Sequence, residues 1–349
     1  MEKELLDKIG ERVDRIITLD MRGRGGKSPI MEKLYPAARK LYGRPVTAFA
    51  AEQLKERVGK GDTVFILTGL AAYGMTAETD GPVGAVAIGR ALQIGLGARP
   101  VFITNEIFTE IMIKTATGGG FLVFDPKDIR RAWSKVPSAT MVKGFTTDDK
   151  EAEKVATALM KEYSPKAIIS VEARGPNEEG IYHVVDGTDV TQYESKMAIL
   201  FRMAKEQNIL TMGMFDGCGH EIGSGTLISS ELKNEYPRYA TCACGCKSGM
   251  NDATQVDVAI PAAISNWGAY GVVACLSALL EKKEVMHDKA LESRMVRVCA
   301  DAGAMDGVTG RTDVSVDGLP ESIQMAVIEI LGEIVQNSIK GYDVVLKTN

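Results

Sequence analysis

The sequence is poor in the residues most often recruited for chemistry. It has 3 His and 2 Trp in 349 residues, and aromatic residues make up only 6%. Its 6 Cys are too few for a dense disulfide framework in a chain this long, and three of them crowd together as Cys242, Cys244 and Cys246. That usage suits a reducing, cytoplasmic setting. No stretch reaches about 18 uninterrupted apolar residues, so no membrane-spanning helix is expected. The opening MEKELLDKIGERVDRIITLD spreads charges throughout and has no apolar core, unlike a secretory signal. Positive charge is not in excess either: 41 Lys+Arg against 46 Asp+Glu give a net charge of −5. A global basic field for nucleic acid or an anionic membrane is thereby excluded. A small-molecule partner is expected instead, with the chain acting as a homo-oligomer. What the sequence has in surplus is glycine, 36 residues of it.

Hydrophobic residues at 45% and charged residues at 25% are the balance of a globular protein with a sizeable core. The opening helix, 2–19, places Leu5, Ile9, Val13 and Ile16 at helical spacing. Beyond it, short β-rich runs alternate with helical stretches. Strands are predicted at 63–68, 100–104, 121–124, 167–171, 209–213 and 256–260. Helices are predicted at 48–58, 84–96, 105–117, 148–162, 195–206, 261–281, 288–302 and 320–339, the last with Gly341 as its C-cap. Continuous apolar strands interleaved with helices point to an α/β fold: a mainly parallel sheet with helices on both faces, three layers in all. A single large α/β domain over 1–349 is expected. Its weakest joint, where two subdomains would meet, lies at 135–150.

Ligands of open α/β sheets bind beyond the carboxyl ends of the strands, and the segments following the predicted strands hold the notable residues. Asp216-Gly-Cys-Gly-His-Glu-Ile-Gly-Ser-Gly225 packs four glycines around an Asp, a Cys, a His and a Glu. Glycine permits close backbone approach and positive φ. A proton-moving, anion-binding loop is the sharper reading, and a tight turn with a satisfied His the plainer one. Glu172, at a strand end, reads either as an acid/base group raised by burial or as an ion-pair partner of Arg174. Glu78-Thr-Asp80-Gly81-Pro82 precedes a helix, which gives Asp80 an N-cap role and leaves Glu78 for a ligand amine or metal. Ser265 and Asn266 open a long small-residue helix and suit either capping or a ligand carboxylate. Arg311, in a polar Gly-rich stretch, is a candidate carboxylate fork.

Two motifs need separate treatment. Arg22-Gly-Arg24-Gly-Gly26-Lys27-Ser28 ends like a P-loop, but Met21 stands where that motif needs its first glycine and the segment follows a helix. It is read as a basic loop, either reaching an anionic substrate or solvated. Cys242-x-Cys244-x-Cys246 lacks the paired C-x2-C spacing of structural zinc sites, and buried or half-buried thiols are favoured over a metal or redox role. Cys218, two residues from His220, could act as a nucleophile.

Taken in order, the motifs resemble the D-glutamate cyclase family, in the C-terminal catalytic region found in vertebrate mitochondrial and stand-alone prokaryotic members. The matching text is Glu78-Thr-Asp80-Gly81-Pro82-x-Gly84, Ser170-Val-Glu172-x-x-Gly175-x-Asn177-x-x-Gly180-x-Tyr182, and Asp216-Gly-x-Gly-His220-Glu221-Ile-Gly223-x-Gly225. Ser265-Asn266-Trp267-Gly268-x-Tyr270, Asp306-Gly307-Val308-Thr309 and Val316-Asp317-Gly318 complete it. The loop departs from the family pattern Asp-Gly-Gly-Asn-Glu-Ile-Gly by one extra residue between Asp216 and Glu221 and by a His before the Glu.

The resemblance implies a hydro-lyase of D-amino acid metabolism that interconverts D-glutamate with 5-oxo-D-proline and water. Such a reaction needs a base, an acid and an oxyanion site. Glu172 is the expected base, Asp216 or Glu221 the acid, and His220 the group that orients it. Backbone N–H groups of 217–225, including those of Gly217 and Gly219, are expected to stabilise the oxyanion. Glu78, Asp80, Asn177, Ser265, Asn266 and Arg311 complete the expected substrate contacts. No cofactor is required by these residues, and a divalent Mg2+ or Mn2+ on Glu78, Asp80 or Asp216 would suit carboxylate ligands. Two rivals stand beside this reading: hydrolysis of a lactam or hydantoin-type ring, and small-ligand binding without turnover.

Overall fold

A computed structural model describes residues 1–22, 30–72 and 76–340. Its centre is a seven-stranded, all-parallel sheet. The strands are β1 (Thr63–Leu67), β2 (Arg99–Asn105), β3 (Leu122–Val123), β4 (Ala139–Phe145), β5 (Ala167–Val171), β6 (Leu210–Phe215) and β7 (Val258–Pro261). Their order across the sheet is β3-β4-β2-β1-β5-β6-β7. Strands β1 and β5 are buried along their whole length, as continuous apolar runs covered on both faces must be. Twelve α-helices accompany the sheet among the described residues: α1 (Lys3–Ile17), α2 (Met31–Tyr42), α3 (Val46–Arg57), α4 (Pro82–Leu96), α5 (Thr109–Gly118), α6 (Pro126–Trp133), α7 (Asp149–Tyr163), α8 (Ile199–Glu206), α9 (Ser230–Glu235), α10 (Ser265–Leu280), α11 (Lys289–Asp301) and α12 (Glu321–Lys340). Helices α4, α5, α10 and α11 pack together on one side, and α6, α7 and α8 cover the other, which makes the three-layer α/β fold.

The stretch 135–150, expected as the weakest joint, holds β4, hydrogen-bonded to β3 on one side and β2 on the other. Its sequence ATMVKGF carries a Lys and a Gly in place of a continuous apolar run, which hides it from periodicity. Helix α1 is rotated by one position from the expected stripe. Leu6, Ile9, Val13 and Ile17 are buried, whereas Leu5 is exposed. The expected C-cap Gly341 lies outside the described residues.

Several helix starts are capped by side chains from distant segments. The buried Asp14 of α1 accepts from Val46 N (2.7 Å) and Thr47 N (3.2 Å) at the start of α3. Asp80, expected to cap its own helix, accepts from Gly81 N (3.1 Å) just before α4 and also from Ser265 N (2.9 Å) and Asn266 N (2.8 Å) at the start of α10. In return, Asn266 Oδ1 accepts from Gly81 N (2.9 Å) and Gly84 N (2.7 Å) at the start of α4. The two helix starts therefore cap each other. Gly84 is what lets them approach, because a Cβ there would lie 2.8 Å from Asn266 Cα.

Candidate functional site

The chain winds outward from β1 to β2 and the edge strand β3, comes back to β4 between them, then returns to β5 and winds the other way to β6 and β7. The winding reverses between β1 and β5, and at such a switch point the loops diverge and leave a crevice. A cavity of about 550 Å3 opens there, within the size range of small-molecule sites. Glu78 from the loop after β1, Glu172 from the end of β5, and Asp216, Gly217, Cys218 and His220 from the loop after β6 line it.

Glu172 is held in an unusual backbone conformation, with φ +52°. For an L-residue with a Cβ this left-handed geometry costs about 1–2 kcal/mol, and strain of this kind concentrates at functional sites. Its N–H is tied to Met214 O at 3.2 Å. Its carboxyl is tied by the Ser265 hydroxyl, which donates to Oε2. Arg174 does not pair with it, for the guanidinium is buried against Glu194 and donates to Ala71 O at 3.0 Å. Burial raises the Glu172 pKa well above the ordinary carboxyl range, and the charges of Glu221, Asp216, Asp80 and Glu78 add to the effect.

Glu221 is fully buried beside it. Its Oε2 accepts from Gly219 N (2.9 Å) and its Oε1 lies 3.6 Å from His220 Nε2. Burial again raises its pKa well above the usual range, reinforced by the charge of Asp216 and a hydrogen bond shared with that side chain. Asp216 Oδ1 accepts from Cys218 N (3.0 Å), and its Oδ2 lies 3.6 Å from Arg22 Nη2. Arg22 also bonds Asp317 and the Ala263 carbonyl. The result is a cluster of carboxyl groups close together and shielded from water, which pushes the pKa values of Glu172 and Glu221 upward.

The glycine loop serves this cluster in a way the sequence did not suggest. The amides of Cys218 and Gly219 donate to Asp216 and Glu221, those of Ile222 and Ser224 to backbone carbonyls, and that of Gly223 to Asp252 Oδ2 (3.0 Å). The Cys218 and Gly219 amides thus orient the acids, and those of Ile222, Gly223 and Ser224 are engaged within the protein. Gly219, at φ +97°, lies flat against the Tyr239 ring, where a Cβ would clash. Tyr239 OH in turn donates to Gly217 O at 2.6 Å.

The expected site residues thus fall into three places. Glu78, Glu172, Asp216, Gly217 and His220 meet at the cavity, with Glu221, Gly219 and Ser265 directly behind them. Asp80 and Asn266 sit deeper, in the crossed caps. Asn177 and Arg311 lie elsewhere. Asn177 is buried in a loop, donating to Gly249 O (2.7 Å). Arg311 is exposed, with its side chain 74% accessible beside Asp313. Among the described residues, the arginines that line the cavity are Arg22 and Arg238. Arg22 opens the basic segment Arg22–Ser28, whose residues 23–29 lie outside the described ones, as does the P-loop-like Gly26-Lys27-Ser28. Arg238, in the plain run EYPRY, carries no sequence signal. Asp317, at φ +56°, was visible only as part of a resembling motif. Groups able to share a cation here, with ligand atoms within 4.8 Å of one another, are Glu172–His220–Glu221 and Asp216–Cys218–Glu221. The set Glu78, Asp80 and Asp216 is not among them.

The family described as D-glutamate cyclase-like, C-terminal, matches residues 13–332. The chain belongs to this D-glutamate cyclase-like family. The mitochondrial D-glutamate cyclase of Homo sapiens is similar to it, 24% identical over 271 residues, which is 70% of this chain and 40% of the human protein. The chain thus matches less than half the length of that relative. Of the acids quoted for the resemblance, Glu78, Glu172, Asp216 and Asp317 line this one crevice of the D-glutamate cyclase-like chain. Among the described residues no helix is long and apolar enough to cross a membrane.

Proposed function

We propose that the chain is a hydro-lyase that interconverts D-glutamate and 5-oxo-D-proline plus water in this crevice. The observation that carries the reading is the close-set carboxyl cluster of Glu172, Asp216 and Glu221, two of them with raised pKa, with His220 beside it, at the wall of a cavity sized for a small metabolite. Ring closure joins the α-amine to the γ-carboxyl carbon and expels one of that carboxylate's oxygens. Starting from the ammonium and the carboxylate, the nitrogen loses two protons and the departing oxygen gains two. No net proton is consumed. The enzyme therefore needs a local reservoir that takes protons from nitrogen and returns them to oxygen, and a set of strongly coupled carboxyls is such a reservoir.

Glu172, fixed by Ser265 at the strand end, is assigned to accept from the ammonium. The Asp216–Glu221 pair, with His220 within 3.6 Å of Glu221, is assigned to deliver protons to the leaving oxygen. Arg238 lines the cavity and is the group assigned to the substrate α-carboxylate, the role that the position of Arg311 does not serve. Folding the substrate so that amine and γ-carboxyl touch supplies the rest, since intramolecular closure avoids most of the entropic barrier. A divalent cation bridging Asp216 and Glu221 is compatible with this scheme but no step depends on it.

The lactam or hydantoin hydrolase is the second reading, favoured by the placement of Cys218 at the cavity wall. Its thiol shares a 4.8 Å group with Asp216 and Glu221, and carboxyl groups that close disfavour a thiolate nucleophile whenever either of them ionises. Incubation with each enantiomer of glutamate and 5-oxoproline and with hydantoins, followed by chiral chromatography, tests both. Conversion between D-glutamate and 5-oxo-D-proline that survives Cys218→Ala is the expected result. Ring opening of hydantoins alone, or loss of all turnover in Cys218→Ala, would overturn it.

A further inference from the structure

His183 and the Cys242-x-Cys244-x-Cys246 run, some 60 residues apart in sequence, converge in the structure. The Cys242 Sγ lies 3.2 Å from Cys244 Sγ and 3.3 Å from Cys246 Sγ. His183 Nε2 lies 3.2 Å from Cys244 Sγ and 3.8 Å from Cys246 Sγ. All four atoms fall within 4.8 Å of one another. The sulfur–sulfur separations are far beyond the roughly 2.05 Å of a disulfide, and four donors around one point is not the arrangement of a redox pair. A tetrahedral zinc ion with Zn–S near 2.3 Å and Zn–N near 2.0–2.1 Å would set its ligand atoms about 3.5–3.8 Å apart. Four of the six separations, from 3.2 to 3.8 Å, lie close to that figure, and all six fall within 4.8 Å.

We propose that His183, Cys242, Cys244 and Cys246 bind one Zn2+ in a closed, structural Cys3His site. Soft thiolates with one imidazole select zinc over Mg2+, Mn2+ or Ca2+. Four protein ligands leave no position open for water or substrate, which makes the site structural and not catalytic. Outer contacts of the kind that tune such sites are in place. Asn177 Nδ2 donates to Cys246 Sγ (3.2 Å), and Cys246 N donates to Cys244 Sγ (3.4 Å). This gives Asn177 a role that the carboxylate crevice does not.

The two segments so joined form part of the cavity wall. The loop carrying His183 also carries Val185, and the cysteine run follows Tyr236, Pro237 and Arg238. Apart from the short helical turn Pro237–Ala240, residues 237–252 have no regular structure. They are tied to the His183 loop by Ala243 N to Gly187 O (2.9 Å) and by Asn177 Nδ2 to Gly249 O. A metal clasp is an effective way to hold two such loops, because its binding energy becomes ordering energy.

Metal analysis of the tag-free protein, desalted without chelator, tests the proposal independently of any catalytic activity. The expected content is about one zinc per chain. The Cys244→Ser/Cys246→Ser double variant is expected to lose at least about tenfold of it, while Cys218→Ser keeps it. Zinc below about a tenth of an equivalent in protein whose thiols are all readily alkylated would overturn the assignment. So would a folded double variant that retains its zinc. Should the double variant not fold, protein produced in cobalt medium decides. Tetrahedral ligand-field bands with the charge-transfer intensity of three thiolates support the site. A single-thiolate or octahedral spectrum places the ion at the Asp216–Cys218–Glu221 group and rejects it.

Discussion

Two clusters of ionisable side chains sit on the same set of loops, and each gathers anionic donors suited to a different cation. At the switch point, Glu172, Asp216 and Glu221 are buried and mutually repelling, and burial with that repulsion raises the pKa of Glu172 and Glu221, which favours proton retention. At the outer clasp, His183 is buried but Cys242, Cys244 and Cys246 are half-buried or exposed. There the repulsion between thiolates would be relieved by a dication. Both bring like-charged donors within a few ångströms of each other. What separates them is ligand softness and dryness: hard carboxyls in a dry crevice hold protons, and soft thiols at the surface hold metal.

The strongest way to break this comparison is Glu172→Gln, which keeps the shape and removes the proton acceptor. Cyclase turnover is expected to fall about 10^2–10^4-fold, with zinc content unchanged. If zinc is lost along with activity, the two clusters are one unit. The next effect falls on the clasp. Asn177→Ala is expected to weaken zinc affinity about 10–100-fold in a chelator competition, and an unaltered affinity would remove Asn177 from the site.

Glu221→Gln sharpens the contrast through stability. The folded-state pKa of Glu221 is raised, so above about pH 4.5 the folded protein binds more protons than the unfolded chain, and stability declines as pH rises toward the folded pKa. Removing the group removes that decline. The Tm advantage of Glu221→Gln over the parent is therefore expected to be small at acid pH and to widen toward neutral and alkaline pH, even as turnover drops. A Tm below that of the parent at every pH would show the carboxylate to be a net stabiliser. The smallest effect belongs to Arg311→Ala. With its side chain exposed and clear of the cavity, this change should alter unfolding free energy by no more than about 0.5 kcal/mol. A large rise in KM would return Arg311 to the substrate.

Much of this arrangement was legible in the chain. The strand-end loops held Glu172, Asp216, His220 and Glu221, and the rule that ligands bind beyond the strands' carboxyl ends located them before their contacts were known. What was hidden depended on distance. Helix α2 carries Pro36 inside it and so resembles a break. Asp80 and Asn266 looked like local caps, yet each caps the other's helix. The zinc-like cluster was dismissed on the spacing of its cysteines because its fourth member lies some 60 residues away. A scarce histidine, in a chain with only 3, was the signal that could have been joined to it. The amides of the glycine loop were expected to face a substrate, and two of them, those of Cys218 and Gly219, instead orient the acids.

The crossed caps set a condition on how the protein comes into being. The acceptor for Gly81 N and Gly84 N, and the hydroxyl that fixes Glu172, arrive only with residues 265 and 266. A ribosome that has released the first 260 residues has delivered nearly every strand of the sheet but not the keystone between its halves. The centre of the crevice therefore closes late in translation, and any fragment ending short of α10 would leave the start of α4 without its cap and Glu172 without its latch.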